Sequence, residues 1–327
     1  MTVTIREVAA EAGLSISTVS RAFSNPEVVN LSTRERVRVI AERLGYQPNQ
    51  AARLLRGGRS GSIGLIIPDI TNPFFAPILK AIQVRARRHG QTVLVADGEE
   101  HPDAELDAIE VLRPRVDGLV LWSPTVDADT LAQIHAKTPV VLINRELEGF
   151  PQVHIDLAPG VAQAGESLVA YGHRRCAFVN AHETDSPRAA SIRGALSDAG
   201  LDVVEFGPYE ARFETGVHAA PLVLSAGATA VVAHNDLVAL GLLQQFAALG
   251  VSVPRDVSVV GIDDTILAAT ATPGLATVRI DPEAVAAAAT DALLAELSGD
   301  PGSTQASSAP HVVSTRFIPR ASSGPAA

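Results

Sequence analysis

Seven short apolar runs constrain the fold most. They are Ile63–Ile67, Thr92–Val95, Gly118–Leu121, Val140–Ile143, Cys176–Val179, Ala230–Ala233 and Val257–Val260. None alternates apolar with polar residues, so none suits a strand with one wet face. Continuous runs of this length, separated by helical stretches, imply parallel strands covered on both faces by helices. A chain of 327 residues is about twice an average domain, which calls for more than one such sheet. With 46% hydrophobic and 19% charged residues it can bury those cores and does not resemble a disordered chain. The single cysteine, Cys176, excludes a disulfide framework and a multi-thiolate zinc site and suits a reducing compartment. The polar start at Met1–Arg6 and the lack of any apolar stretch of about 18 residues lead us to expect a soluble, cytoplasmic protein with no membrane partner.

Before the first run the chain changes character. Residues 1–60 carry nine arginines against five glutamates, a balance of +4, while the rest of the chain carries -14. A basic head on an acidic body confines any contact with a polyanion to the head. Thr4-Ile5-Arg6-Glu7 has the spacing of a capping box, and Ile5, Val8, Ala9 and Ala12 follow at helical spacing. Gly13 can end that helix, Ser15 can cap a second through about Ser24, and Asn30 or Ser32 can cap a third that stops at Gly45. If Val19 and Phe23 face the shared core, Ile16, Ser17, Ser20 and Arg21 are left outside. An exposed isoleucine beside hydroxyls and an arginine suits a major groove, where it can meet a thymine methyl while the guanidinium pairs with guanine. A merely solvated helix face is the alternative.

The segments Val3–Ala9, Ser15–Arg21 and Leu44–Asn49 resemble the DNA-binding head of the LacI (lactose repressor-like, LacI/GalR) bacterial transcriptional regulators. The likeness continues through Ile70–Phe75, Val116–Gly118, Gly172–Arg175, Asn235-Asp236 and Val259–Asp264, nearly the whole chain. The resemblance implies an N-terminal all-α helix-turn-helix head plus an α/β body made of two Rossmann-like lobes of the periplasmic-binding-protein type. It places the head at 1–48, a hinge helix and linker at 49–62, and an effector-binding and dimerisation domain at 63–327. Three crossings near Asp156, Ile280 and residue 310 would divide that domain into lobes of about 63–156 plus 281–309 and 157–280 plus 310–327. It implies DNA contacts from Thr4, Ser15, Ile16, Ser17, Thr18, Ser20 and Arg21, and from Asn49, Ala52 and Leu55 of the hinge helix. Leu55 matches a residue wedged into the minor groove at the centre of a near-palindromic operator; the alternative is that Leu54 and Leu55 pack as linker residues.

In parallel sheets ligands sit outside the carboxyl ends of the strands. Here Asp69, Trp122, Asn144, Arg145, Asn235, Asp236 and Asp263 stand at such ends, a set of carboxylates, amides, a guanidinium and an aromatic face that suits a polyol or sugar ring. The resemblance assigns Asn235 and Asp263 to effector hydroxyls and Phe74 and Phe75 to the cleft edge. Trp122 aligns with an effector-facing position, with core packing as its alternative. Asp236 reads rather as a helix cap and Asp264 as structural. Two positions depart from the pattern of the relatives. Ser191 stands where many relatives carry arginine, leaving Arg188 one turn earlier to reach the cleft, and Ala211 stands at a usual aromatic position, with Phe213 nearby.

No phosphate-binding loop, HExxH or GxSxG occurs, and His173 with Cys176 makes only half a metal site. We therefore expect no catalysis, no cofactor and no metal. No leucine heptad follows Arg320, so a homodimer is expected rather than a tetramer. The expected function is a repressor of sugar uptake or catabolism genes, controlled by a small polar effector, a sugar or sugar derivative, between the lobes. The alternatives are a free solute-binding protein, a regulator answering to a nucleoside, purine or other non-sugar ligand, and a nucleotide-using enzyme.

Overall fold

The computed structural model describes residues 3–24, 28–46, 59–181, 186–299 and 310–326. It divides into two compact units, Met1–Ser60 and Gly61–Ala327.

Among the described residues the first unit has the helices α1 (Ile5–Ala12), α2 (Ile16–Ser24) and α3 (Leu31–Leu44). The Glu7 carboxylate accepts hydrogen bonds from the Thr4 amide at 2.6 Å and the Thr4 hydroxyl at 2.9 Å, which opens α1. Gly13 ends it at φ +62, a conformation that suits a residue without Cβ. Ser15 accepts from the Thr18 amide to start α2, and Asn30, not Ser32, accepts from the Thr33 amide to start α3. Val8, Ala9, Val19, Ala22, Val37 and Ala41 form the shared core, with Phe23 packed against it.

The second unit holds two six-stranded sheets. The first contains β1 (Ser62–Ile67), β2 (Thr92–Asp97), β3 (Gly118–Trp122), β4 (Val140–Ile143), β5 (Gln152–Asp156) and a late strand, His311–Ser314. Their order is the late strand, β5, β4, β3, β1, β2, and every pairing is parallel. Helices α4 (Phe75–Arg88), α5 (Pro102–Leu112) and α6 (Ala128–His135) connect these strands. The second sheet follows α7 (Ala158–Ala170): β6 (Arg175–Val179), α8 (Pro187–Asp198), β7 (Asp202–Phe206), α9 (Phe213–Ser225), β8 (Ala230–Ala233), α10 (Asp236–Ala248), β9 (Ser258–Asp263), α11 (Ile266–Thr270) and β10 (Ala276–Arg279). The chain returns to the first lobe as α12 (Pro282–Ser298) and β11 (His311–Ser314), then ends in the second sheet as β12 (Arg316–Ile318), antiparallel to β10.

This corrects the expected third crossing. Residues 311–314 belong to the first sheet, paired with 153–156, and the chain crosses at Thr315 rather than near 310. The reason is visible in the bonding. Buried Thr315 donates its hydroxyl to the Asp156 carbonyl at 2.9 Å and receives the Gly160 amide at 3.2 Å, tying the third crossing to the first. Gly160 must be glycine for this approach: a Cβ would lie 2.5 Å from Val278 Cγ1 and 3.0 Å from the Arg316 amide nitrogen. All three crossings meet at that residue.

Candidate functional site

On α2, the sequence-predicted outward face is outside. Ile16 is 40% exposed, and Ser17 and Arg21 are also exposed. Arg21 donates Nε to the Ser17 carbonyl at 3.2 Å and forms no ion pair among the described residues, so its terminal nitrogens remain for an acceptor. Two other arginines of this unit do form ion pairs: Arg38 with Glu35 and Glu42, and Arg43 with Glu11. Four expected contacts have local bonds. The Thr4 hydroxyl donates to Glu7, and the Ser15 hydroxyl is bonded to those of Ser17 and Thr18. Asn49, Ala52 and Leu55 lie outside the described residues.

At the carboxyl ends of the first sheet, Asp69 folds a turn by accepting from the Thr71 amide and hydroxyl at 2.8 and 2.6 Å. Phe74, Phe75 and Trp122 form a three-ring cluster. The centroids of Phe74 and Phe75 lie 5.5 and 5.2 Å from Trp122, both edge-to-face. Trp122 is 7% exposed, so most of its surface packs against protein. Asn144, at φ +57, uses its side-chain carbonyl to receive the Ile155 amide at 3.0 Å. Arg145 donates to the Pro124 and Val126 carbonyls. These two residues brace the site's frame with the groups that were expected to meet the effector.

In the second lobe Arg188 and Asp263 act on each other electrostatically. Arg188 stands in the first turn of α8 and donates Nη2 to the His234 carbonyl at 2.9 Å, while its buried Nε has no partner. Asp263 ends β9 at φ +123. Burial pushes its carboxyl well above the ordinary carboxylate range, nearby Asp236 pushes the same way, and Arg188 opposes them. Burial also lowers the affinity of Arg188 for its proton, against the pull of Asp263. Ser191 lines a groove between α7 and α8 with Glu166 and Asp198, so Arg188 is the residue that supplies a guanidinium beside Asp263. Phe213 is half-buried at the start of α9.

Asn235 spends both ends of its amide, accepting from the Val238 amide at 2.9 Å and donating to the Ala211 carbonyl at 3.1 Å. It, and not Asp236, caps α10, which corrects the expected role of Asp236. Asp236 instead receives the Thr265 amide and hydroxyl on one oxygen and the Thr277 hydroxyl on the other. Burial still pushes its pKa up to about 6. Asp264 is held by Arg320 at 2.5 Å and Arg279 at 3.6 Å. Sequence reasoning missed Glu100, at φ +52, whose acidity is weakened by burial and Asp69 and strengthened by Arg212 of the other lobe. Its only sequence signal is the polar loop after β2.

His173 is structural: its ring nitrogens meet Thr229, Ser258 and the Gly324 carbonyl. Burial pushes the Cys176 thiol up to about 12, which leaves it unreactive. Among the described residues no helix is long and apolar enough to cross a membrane.

Residues 4–49 match the family described as bacterial regulatory proteins, lacI family, and residues 166–323 match a periplasmic binding protein-like domain. The chain is similar to the HTH-type transcriptional regulator GalS of Salmonella typhimurium, 33% identical over 308 residues and covering 91% of each chain. Among solved structures it resembles the Lac repressor dimer bound to operator and the anti-inducer ONPF, with a TM-score of 0.81 and 27% identity, covering 99% of this chain and 100% of that one. It also resembles a complex of the transcriptional regulator CelR with cellobiose, with a TM-score of 0.68 and 29% identity, covering 98% and 99%. The chain belongs to the LacI family of DNA-binding bacterial transcriptional regulators.

Proposed function

We propose that this regulator is a homodimeric repressor that binds a near-palindromic operator through α2 and releases it in response to a sugar or sugar derivative held between the lobes. One observation carries the effector reading: Arg188 has a buried Nε without a partner, and its charge acts on the buried carboxyl of Asp263 at the carboxyl end of β9. A buried donor and a buried carboxyl left unspent by the protein are costly, and a ligand hydroxyl that accepts from one and donates to the other removes that cost. The Trp122 cluster offers an aromatic face for the C–H side of a ring. The operator bound by the similar Lac repressor dimer and the cellobiose bound by the similar CelR support this reading. Arg21 reads base edges in each half-site, and Leu55 opens the central step from the minor groove. Asp69, Phe74, Phe75 and Trp122 line one side of the effector cleft and Arg188 and Asp263 the other, with Asn144, Arg145 and Asn235 as its supports.

The test is a thermal-shift screen of the full chain against neutral sugars, sugar phosphates, nucleosides and purines. A ligand at about 100 times its Kd adds roughly 2.7 kcal/mol to the native state, a clear rise in Tm. A saturable shift with a sugar, lost in Asp263→Asn and Arg188→Met, is the expected result. A shift with a nucleoside or purine and with no sugar overturns the sugar assignment.

A further inference from the structure

The residues that follow Trp122 are gripped from two sides. Glu105 on α5 is 4% exposed, and its Oε2 accepts from the Thr125 amide at 2.6 Å, the Thr125 hydroxyl at 2.7 Å and the Val126 amide at 3.3 Å. From the opposite edge of the same segment, Arg145 donates Nη1 to the Pro124 carbonyl at 2.8 Å and to the Val126 carbonyl. The carboxylate therefore takes the segment's donors and the guanidinium takes its acceptors. Pro124 and Val126 are buried and lie outside any ladder, so these side chains supply the partners their backbone groups require. Charge-assisted bonds of this kind are shorter and stronger than neutral ones. Ser123 joins the clamped segment to Trp122 with a left-handed φ of +44, and its amide donates to the Ile143 carbonyl at 2.8 Å. A serine is held in that conformation only when its surroundings impose it.

We propose that Glu105 and Arg145 act together as a clamp on residues 124–126 that fixes the position of Trp122 in the effector cleft. The two are positioning residues of that site, and neither needs to touch the ligand. The clamp rests on the cleft reading above for its importance to effector binding, but its mechanical part belongs to the free protein and is read there. Glu105 stands on the helix that joins β2 to β3 and not at a strand end. Arg145 stands at a strand end, and its Nη1 makes both bonds to the loop.

Trp122 is the only tryptophan, so it reports on the clamp without ambiguity. The full chain is labelled with 5-fluorotryptophan, and its 19F resonance and acrylamide quenching are measured without ligand for wild type, Glu105→Gln, Arg145→Lys and the double variant. Thr125→Val, which removes one bond to Glu105 and leaves the amides, serves as a milder probe should Glu105→Gln fold poorly. Expected are one narrow resonance and weak quenching in wild type, at least a twofold rise in the quenching constant with a broadened or displaced resonance in each single variant, and no larger change in the double variant, because either loss opens the same clamp. Unchanged quenching and resonance in variants that merely melt earlier would overturn the proposal and leave Glu105 as an anchor of α5. Additive changes in the double variant would overturn the joint action. The same variants enter the ligand screen afterwards: if no ligand class binds wild type, the cleft reading fails while the clamp result stands.

Discussion

Replacing Asp236 by asparagine tests the electrostatics beneath the cleft. The carboxylate receives three hydrogen bonds from Thr265 and Thr277, yet burial outweighs them and lifts its pKa from 3.8 to about 6. For an acid whose folded pKa is raised, the folded state holds the proton more tightly than the unfolded state. The penalty is therefore absent below the unfolded value, grows between about pH 4 and 6, and is complete above the folded value. At roughly 1.4 kcal/mol per pH unit the rise corresponds to about 3 kcal/mol. Asparagine keeps the shape, can accept from the Thr265 amide and can donate to the Thr277 hydroxyl, but it does not ionise. The stability of wild type minus that of Asp236→Asn should then fall by about 3 kcal/mol between pH 4 and 8, whatever constant offset the lost charge-assisted bonds add. Loss of the Asp236 charge also eases the ionisation of Asp263 in the variant, which acts in the same direction. Urea unfolding followed by far-UV circular dichroism at fixed ionic strength measures the difference, since titrations common to both proteins cancel. A difference that does not change with pH, or that favours wild type as pH rises, would refute the reasoning and show that the three hydrogen bonds outweigh burial.

Arg21→Ala should weaken operator binding by about 1–3 kcal/mol and relax preference at one base pair per half-site, measured by fluorescence anisotropy on operator and random duplexes; equal loss on both would leave Arg21 a phosphate contact. Gly160→Ala should lower stability by at least about 1–3 kcal/mol, because its Cβ would meet Thr315 Oγ1 at 2.7 Å and the backbone nitrogen of Arg316 at 3.0 Å; a Tm within a degree of wild type would show that the crossings yield. Saturating effector should change Trp122 emission, and Trp122→Ala should weaken effector binding by about 1 kcal/mol or more with operator affinity nearly intact. Operator release by a ligand that leaves the emission unchanged would return Trp122 to the core.

The strands that the sequence shows best are those buried on both faces. β1, β3, β4, β6, β8 and β9 are unbroken apolar runs because helices cover both sides of them. β5 is hidden because Gln152, His154 and Asp156 alternate with buried valine and isoleucine, and β7 because Asp202 and Glu205 sit at a sheet edge. β11 is exposed except at Val313 and β12 is three residues long, so neither shows an apolar run and the third crossing is hidden in the sequence. At the site, strand-end position is legible because parallel sheets gather those ends in one place. Bonding is not, since an amide's identity does not say which backbone group lies opposite it: Asn144 and Asn235 spend themselves on Ile155, Val238 and Ala211. Arg188 was recoverable only as the nearest arginine to a missing one.

The cleft and the crossings share a short piece of backbone. Asp263 and Asp264 are neighbours, and both have positive φ, +123 and +59. Asp264 pairs with Arg279, at the second crossing, and with Arg320, just beyond the third. Arg279 is also opposite Arg316 in the β10–β12 pairing, and Arg316 follows the Thr315 that ties the first crossing. A like-charge pair facing across strands is unfavourable unless a carboxylate offsets it, and Asp264 is placed to do so. The positive-φ pair thus sets one carboxyl beside Arg188, where ligand hydroxyls would act, and the next among the arginines that steady the crossings. Neighbouring residues therefore carry two separate tasks: Asp263 keeps its carboxyl buried at the end of β9, while Asp264 offsets the charge of Arg279 and Arg320 at the second and third crossings.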